Sequence, residues 1–252
     1  MEYSIYQAPI YSFYSKDFYR SVGRNGKGTG FLYLSALFFA CWTAIIIAMY
    51  VHMVVLIEAP VVTELVQKLP DMTFRNGSMS INKPSPYEME VSGKKIVFDT
   101  SGKYKAVEEI EGADALITEE KISFSEQGWR EPTTFKGLVT DYTLKAADIK
   151  PFLKDISLKI AGIGFVLGLP VFFGHLFLAL IYAGVAMIVN SKPGFETALR
   201  MAISAMTPGI LLSTLLAILW VNFPGQGLIT VPITLGLLVY GYKALGDSNA
   251  AD

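Results

Sequence analysis

The sequence predicts an α+β membrane protein: four membrane-crossing helices, with a strand-rich segment inserted between the first and the second. Three observations carry this. Residues 31–57, 160–189 and 201–221 contain no Asp, Glu, Lys or Arg, and 228–242 is a shorter run of the same kind. A bilayer crossing needs about 20 apolar residues, and soluble core helices seldom run so far without a charge. Between the first two runs the composition changes to short alternating stretches punctuated by Asn-Gly and Ser-Gly, a hairpin signature. Across the whole chain 52% of residues are hydrophobic and 17% charged, which is too little charge for an ordinary soluble domain of 252 residues.

In chain order, residues 1–29 read as a cytoplasmic amphipathic segment. In "YSFYSKDFYRSVGRNGKGTGFLYL", Ser15 is the expected helix N-cap, Asp17 lies in the first turn and Gly23 ends the helix. Tyr11, Tyr14, Phe18 and Val22 share one face. Arg20, Arg24 and Lys27 add positive charge, so Tyr11, Tyr14, Phe18, Arg20, Arg24 and Lys27 are the expected membrane-interface residues, in contact with bacterial membrane lipids. The same face suits packing against the ends of the other spans, and the two readings stay open. A phosphate-binding loop is excluded, because Gly26-Lys27 is followed by Gly28 rather than Ser or Thr. Span one is 30–57. The strand-rich domain is 58–159, with "APVVTELVQKLP" prolonging span one outward and "TLKAADIKPFLKDISLKI" leading helically into span two. Span two is 160–189, a loop occupies 190–200, span three is 201–221, span four is 225–244, and 245–252 is a tail. The positive-inside rule places both termini in the cytoplasm and 58–159 outside, and a single cysteine, Cys41, fits a cytosolic or a bacterial envelope protein.

The strand-rich domain reads as an antiparallel meander of five to seven strands. It contains neither histidine nor cysteine, so no Ser-His-Asp or Cys-His arrangement is available within it. "FDTSGK" resembles the nucleophilic aspartate loop of phosphatases, but no matching downstream lysine and acidic motif accompanies it; a turn at a strand end explains it. The acids at 108–114 read as a solvated turn. No catalytic, cofactor or metal residues are therefore assigned. The net charge of −1 gives no bulk attraction to nucleic acid. Proline after the first hairpin blocks continuation on that side, so the later hairpin is the expected docking edge, through Leu116, Ile122, Ser123 and Phe124. Internal pairing with "TTFKGLVT" is the alternative. In the spans, Gly164 and Gly168 form a G-x-x-x-G for close helix approach. Pro170 and Pro208 are expected to bend their helices, and His175 to make a structural hydrogen bond.

"IYSFYSKDFYRSVGRNGKGTGFLYL", "LPDMTFRNGSMSI", "IVFDTSG" and "ALRMAISAMTPGIL", in this order, resemble a bacterial membrane family catalogued as domain of unknown function 1189. Its members are sometimes labelled maltodextrin-utilisation proteins. "FETALRMAISAMTP" is also similar to the membrane core of Yip1-like proteins. The resemblance implies four spans and an external insertion, and no reaction. The functional expectation is a non-catalytic protein that anchors or assembles an envelope complex, for transport or lipid trafficking, with an envelope protein as partner. The alternatives are a small transporter or lipid conduit using spans two and three, and a membrane enzyme.

Overall fold

A computed structural model describes residues 3–4, 6–25, 29–125, 132–135, 141–189, 194–221 and 226–249. The chain divides into two compact units, Met1–Val51 with Ile160–Asp252, and His52–Lys159. Among the described residues, four helices are long and apolar enough to cross a membrane, and strands fall between the first and second of them in chain order.

The helical unit contains α1 (Ala8–Tyr11), α2 (Lys16–Asn25), most of α3 (Phe31–Ile57) and the apolar part of α5 (Ala146–Val189). α6 (Gly194–Ile218) and α7 (Gln226–Asn249) complete it. Its centre is α6, where every residue from Met201 to Ile210 is buried. Ala202, Ser204, Ala205 and Gly209 keep that stretch thin, so neighbours pack on all sides. α2 is capped by Ser15, whose hydroxyl accepts the Phe18 N–H at 3.2 Å. Asp17 complements the positive end of the helix dipole. α2 does not stop at Gly23. It continues to Asn25, and Gly23 instead admits Leu245, whose Cδ1 would lie 2.8 Å from an added Cβ.

In the strand-rich unit, Pro60 both interrupts α3 and opens α4 (Pro60–Lys68), with Ala59 extended between them. The 59–70 stretch is thus a separate helix and not a prolongation of span one. β1 (Met72–Arg75) and β2 (Ser78–Ile81) form a hairpin whose Asn76 and Gly77 both have positive φ. β3 (Tyr87–Val91) and β4 (Lys94–Asp99) form a second hairpin. β5 (Ala115–Thr118), β6 (Lys121–Phe124), β7 (Thr133–Thr134) and β8 (Tyr142–Leu144) follow.

The single antiparallel meander is not what forms. The described residues form two sheets, ordered β2-β1-β8 and β3-β4-β5-β6-β7, and β4 pairs with β5 in parallel. The reason lies in β4, which is buried on both faces through Val97 and Phe98. Strands buried on both faces suit parallel pairing, provided that the connection covers one of them. Here Val107 and Ile110, in the connection, pack with Val97 and Leu116, while Phe98 joins Met72, Met79, Met89 and Phe135. At the base of the unit, Lys150 bonds both Glu58 (2.8 Å) and the Thr63 hydroxyl, and Lys154 bonds the other Glu58 oxygen (2.6 Å). The hydrogen bonds from the two lysines hold the Glu58 carboxyl down to about 2.

Candidate functional site

The strand edges come first, because an unpaired edge is where a second chain can add. The N–H and C=O of one strand residue face the same neighbour, and alternate residues face opposite neighbours. In β6, Ser125 N–H bonds Asp114 O just past the strand end, so Ser123 and Lys121 face β5. Phe135 N–H bonds Glu120 O, so Glu120 and Ile122 face β7, with Ile122 opposite Thr133. The expected edge is therefore occupied. Leu116 is fully buried, Ser123 is committed to the β5 ladder, and Ile122 packs on the inner core; Phe124 alone of the four is exposed. "TTFKGLVT" pairs inside the unit because its first two residues complete the sheet, although 136–140 lie outside the described residues.

The open edge lies elsewhere. Asn82 N–H bonds Asp71 O at 3.1 Å, so Asp71 and Thr73 face β2, and Met72 and Phe74 face β8. β2 obeys the same parity: Met79 faces outward and its N–H bonds Glu119 O at 2.6 Å, joining the two sheets. In β8, Tyr142 and Leu144 pair inward with Phe74 and Met72, which turns the Thr143 N–H and C=O outward. Among the described residues no strand pairs with that side. The Tyr142 ring is half exposed and Thr143 is exposed. Of the other terminal strands, β2 is closed at Met79 by Glu119, β3 is partly covered, since Lys68 of α4 bonds Glu90 O at 2.7 Å, and β7 is only two residues long.

Asp99, at the end of β4, is 1% exposed. One carboxylate oxygen accepts from Ser85 Oγ (3.2 Å), Ser101 N–H (2.9 Å) and Ser101 Oγ (2.6 Å), and the other from Tyr104 N–H (2.7 Å). Burial pushes the carboxyl up, and these hydrogen bonds outweigh it, so it sits below the usual carboxylate range. A carboxylate so engaged staples the 99–104 loop and has little freedom to attack a substrate. A cleft of about 370 Å³ lies beside it, lined by Tyr104, Lys105, Glu119, Glu120 and Lys121. At the opposite end of β4, Asp114 accepts from Lys94 Nζ and the Lys95 N–H, which lowers its carboxyl; Glu109 accepts the Lys105 N–H.

In the helical unit, Gly164 and Gly168 lie against α3. Trp42 Nε1 donates to Gly164 O at 3.2 Å, and its indole occupies the space where a Gly168 side chain would be. Pro170 is exposed and sits at no such contact, whereas Pro208 is buried within α6. α5 runs on as one helix through Pro170, and α6 through Pro208. His175 pairs its Nδ1 with Val171 O (2.9 Å) and lies 5.2 Å from the Phe38 ring. It lines a pocket of about 180 Å³ with Tyr182, Gly209, Ser213, Thr230 and Thr234. Beside this pocket's wall, the Tyr33 hydroxyl meets Thr207 Oγ1 at 3.1 Å.

The expected interface residues divide. Phe18 is 1% exposed and packs in the core with Tyr19 and Val22, so it faces protein and not lipid. The α2 face is claimed by α6 and α7. Tyr14 is 61% exposed, Tyr11 half-buried and Arg24 exposed. Arg20 bonds Asp17 and donates its Nε to Ala244 O at 3.0 Å. Lys27 lies outside the described residues.

The family described as protein of unknown function (DUF1189) matches residues 6–242. No curated protein and no solved structure matches the chain.

Proposed function

We propose that this chain, which belongs to the DUF1189 family of unknown function, anchors or assembles an envelope protein complex. In this reading it performs no chemistry itself. Its apolar helices cross the bacterial inner membrane, both termini are cytoplasmic, and the strand-rich unit is extracytoplasmic. One observation supports docking by strand addition most directly: the outward peptide groups of Thr143, on an edge that no described residue covers. Proteins ordinarily blunt such an edge with charge, proline or a bulge, and within Tyr142–Leu144 none is present.

The test uses the full chain in mild detergent, with quantitative mass spectrometry of copurifying proteins. Thr143→Pro removes an outward N–H and leaves the ladder to β1 intact, because Tyr142 and Leu144 supply it. A protein enriched with wild type and with Thr143→Val, and lost with Thr143→Pro, supports the docking edge. Equal recovery by a folded Thr143→Pro protein rejects it.

A second reading rests on the His175 pocket. Uncharged polar groups lining a space between α5, α6 and α7 suit a small neutral polar molecule, and so a conduit. Loss of solute flux in vesicles with His175→Phe, and no change in partner recovery, would favour it over docking.

A further inference from the structure

We propose that a groove between α5 and α7 binds an anionic phospholipid, with Lys243 and Tyr242 holding the headgroup and Leu238 among the residues that cradle an acyl chain. The groove encloses about 350 Å³. Its walls are Val185 and Ala186 on α5 and Leu235, Leu238 and Val239 on α7, all apolar. Its polar lining is confined to Tyr242 and Lys243, at one end. Leu235 to Tyr242 covers about 10 Å along the helix axis. That is roughly a third of a hydrocarbon core, the part of an acyl chain nearest its headgroup.

Two polar groups at that end call for an acceptor. The Tyr242 hydroxyl is buried and has no hydrogen-bond partner among the described residues. A buried hydroxyl without a partner is costly, and in lipid no water relieves it. The Lys243 ammonium likewise forms no ion pair among the described residues. A hydroxyl that can donate, next to an ammonium that can only donate, matches an oxyanion. A phosphate diester meets both demands while its chain fills the apolar walls.

The surroundings favour net negative charge over a zwitterion. Arg20 bonds the carbonyl of Ala244, one residue beyond Lys243, and Lys16 Nζ lies 6.0 Å from the Tyr240 ring. Three cations thus gather at this end of α7 against Asp17, which pairs with Arg20, and the positive surplus adds attraction for an anionic leaflet. The inference rests on the helical unit crossing a membrane and not on the docking edge, so either can fail alone.

The test is native mass spectrometry of the delipidated full chain, titrated with phosphatidylglycerol or phosphatidylcholine of identical acyl chains. Phosphatidylglycerol should bind more tightly. Lys243→Ala should weaken it by about five-fold and leave phosphatidylcholine unchanged. Leu238→Trp, which fills the groove, should weaken both lipids. Lys159→Ala, in an exposed ion pair with Asp155, should change neither. Equal affinity for the two lipids, or full retention of phosphatidylglycerol by Lys243→Ala, would overturn the proposal. Tyr242→Phe separates the two donors: it should lower phosphatidylglycerol affinity further in the Lys243→Ala background, and no further loss would remove the tyrosine from the site.

Discussion

Alanine at Gly168 should destabilise the helical unit, while the same substitution at Gly174, six residues on along the same helix, should stabilise it. A Cβ at Gly168 would lie 2.6 Å from Trp42 Cδ1 and 2.9 Å from Cε2, and closer still to Nε1. Ordinary carbon contacts lie at about 3.5–4.0 Å, so α3 and α5 must separate by about 1 Å or the indole must turn. Turning is resisted, because Trp42 stacks on Phe38 at 5.8 Å and bonds Gly164 O. Overpacking of this kind costs about 1–3 kcal/mol, and losing the indole hydrogen bond about 1 more. The intrinsic preference of a helix for alanine over glycine returns about 1 kcal/mol. The net loss is about 1–3 kcal/mol. At Gly164 the nearest group is the flexible tip of Ile46 at 2.9 Å, which can move aside, so alanine there should be close to neutral. At Gly174 nothing lies within 4 Å, and only the helical gain of about 1 kcal/mol remains. Unfolding of the full chain in one detergent–lipid mixture, followed by tryptophan emission, ranks the three. Gly168→Ala at or above Gly174→Ala in stability would refute the packing argument.

Asp99→Asn should loosen the 99–104 loop, because an amide offers one acceptor oxygen where the carboxylate offers two; hydrogen exchange at Ser101 and Tyr104 should rise by at least ten-fold, and unchanged exchange would reject the staple. The same carboxyl titrates below its ordinary value, so its contribution to loop order is complete above about pH 4 and is lost as pH falls through the lowered folded value; protection factors in the loop, corrected for the pH dependence of intrinsic amide exchange, should fall on acidification in wild type and not in Asp99→Asn. Topology is checked in a Cys41→Ser background: an impermeant thiol reagent should label Glu111→Cys in intact spheroplasts and spare Ser248→Cys, and the reverse pattern would invert the orientation proposed above.

Much of the fold is legible in the sequence because its signals are local. Charge-free runs mark the apolar helices whatever surrounds them. Asn76-Gly77 and Ser92-Gly93 mark hairpins because those backbones need positive φ, which the structure has at all four residues. Sheet membership is not local. The continuous apolar runs Ile96-Val97-Phe98 and Ala115-Leu116-Ile117 suit strands buried on both faces, but a run of three names neither the partner strand nor its direction, so the β4–β5 pairing is not announced. Nor does amphipathicity name its partner. Phe18 and Val22 form a stripe that lipid or protein would accept equally, and α6 and α7 take it because α6 brings a thin, small-residue surface close enough to bury it. The Tyr242–Lys243 pair escaped notice for a related reason: a tyrosine and a lysine ending an apolar run are ordinary, and only the groove beside them gives the pair a common target.

The docking edge shows where sequence reasoning stops. Ser123 and Thr143 look alike on paper, each a small β-tolerant polar residue within a short alternating run. Their peptide groups face opposite ways with respect to their sheets, and a register shift of one residue would exchange the roles. That parity is set by distant residues. Asp114 receives Ser125 and so turns Ser123 inward; Asp71 receives Asn82, which turns Phe74 towards β8 and leaves Thr143 facing away from β1. Proline at Ser123 therefore deletes a ladder bond to Leu116, in the middle of the larger sheet, and unfolding would follow from that alone. Proline at Thr143 deletes only an N–H that faces outward. The two substitutions are chemically the same test applied at a core strand and at an edge, and a stable Thr143→Pro protein beside an unstable Ser123→Pro protein is the result the register requires. Comparable loss of stability in both would mean that β8 is held by something on its outer side, and the edge would not be open.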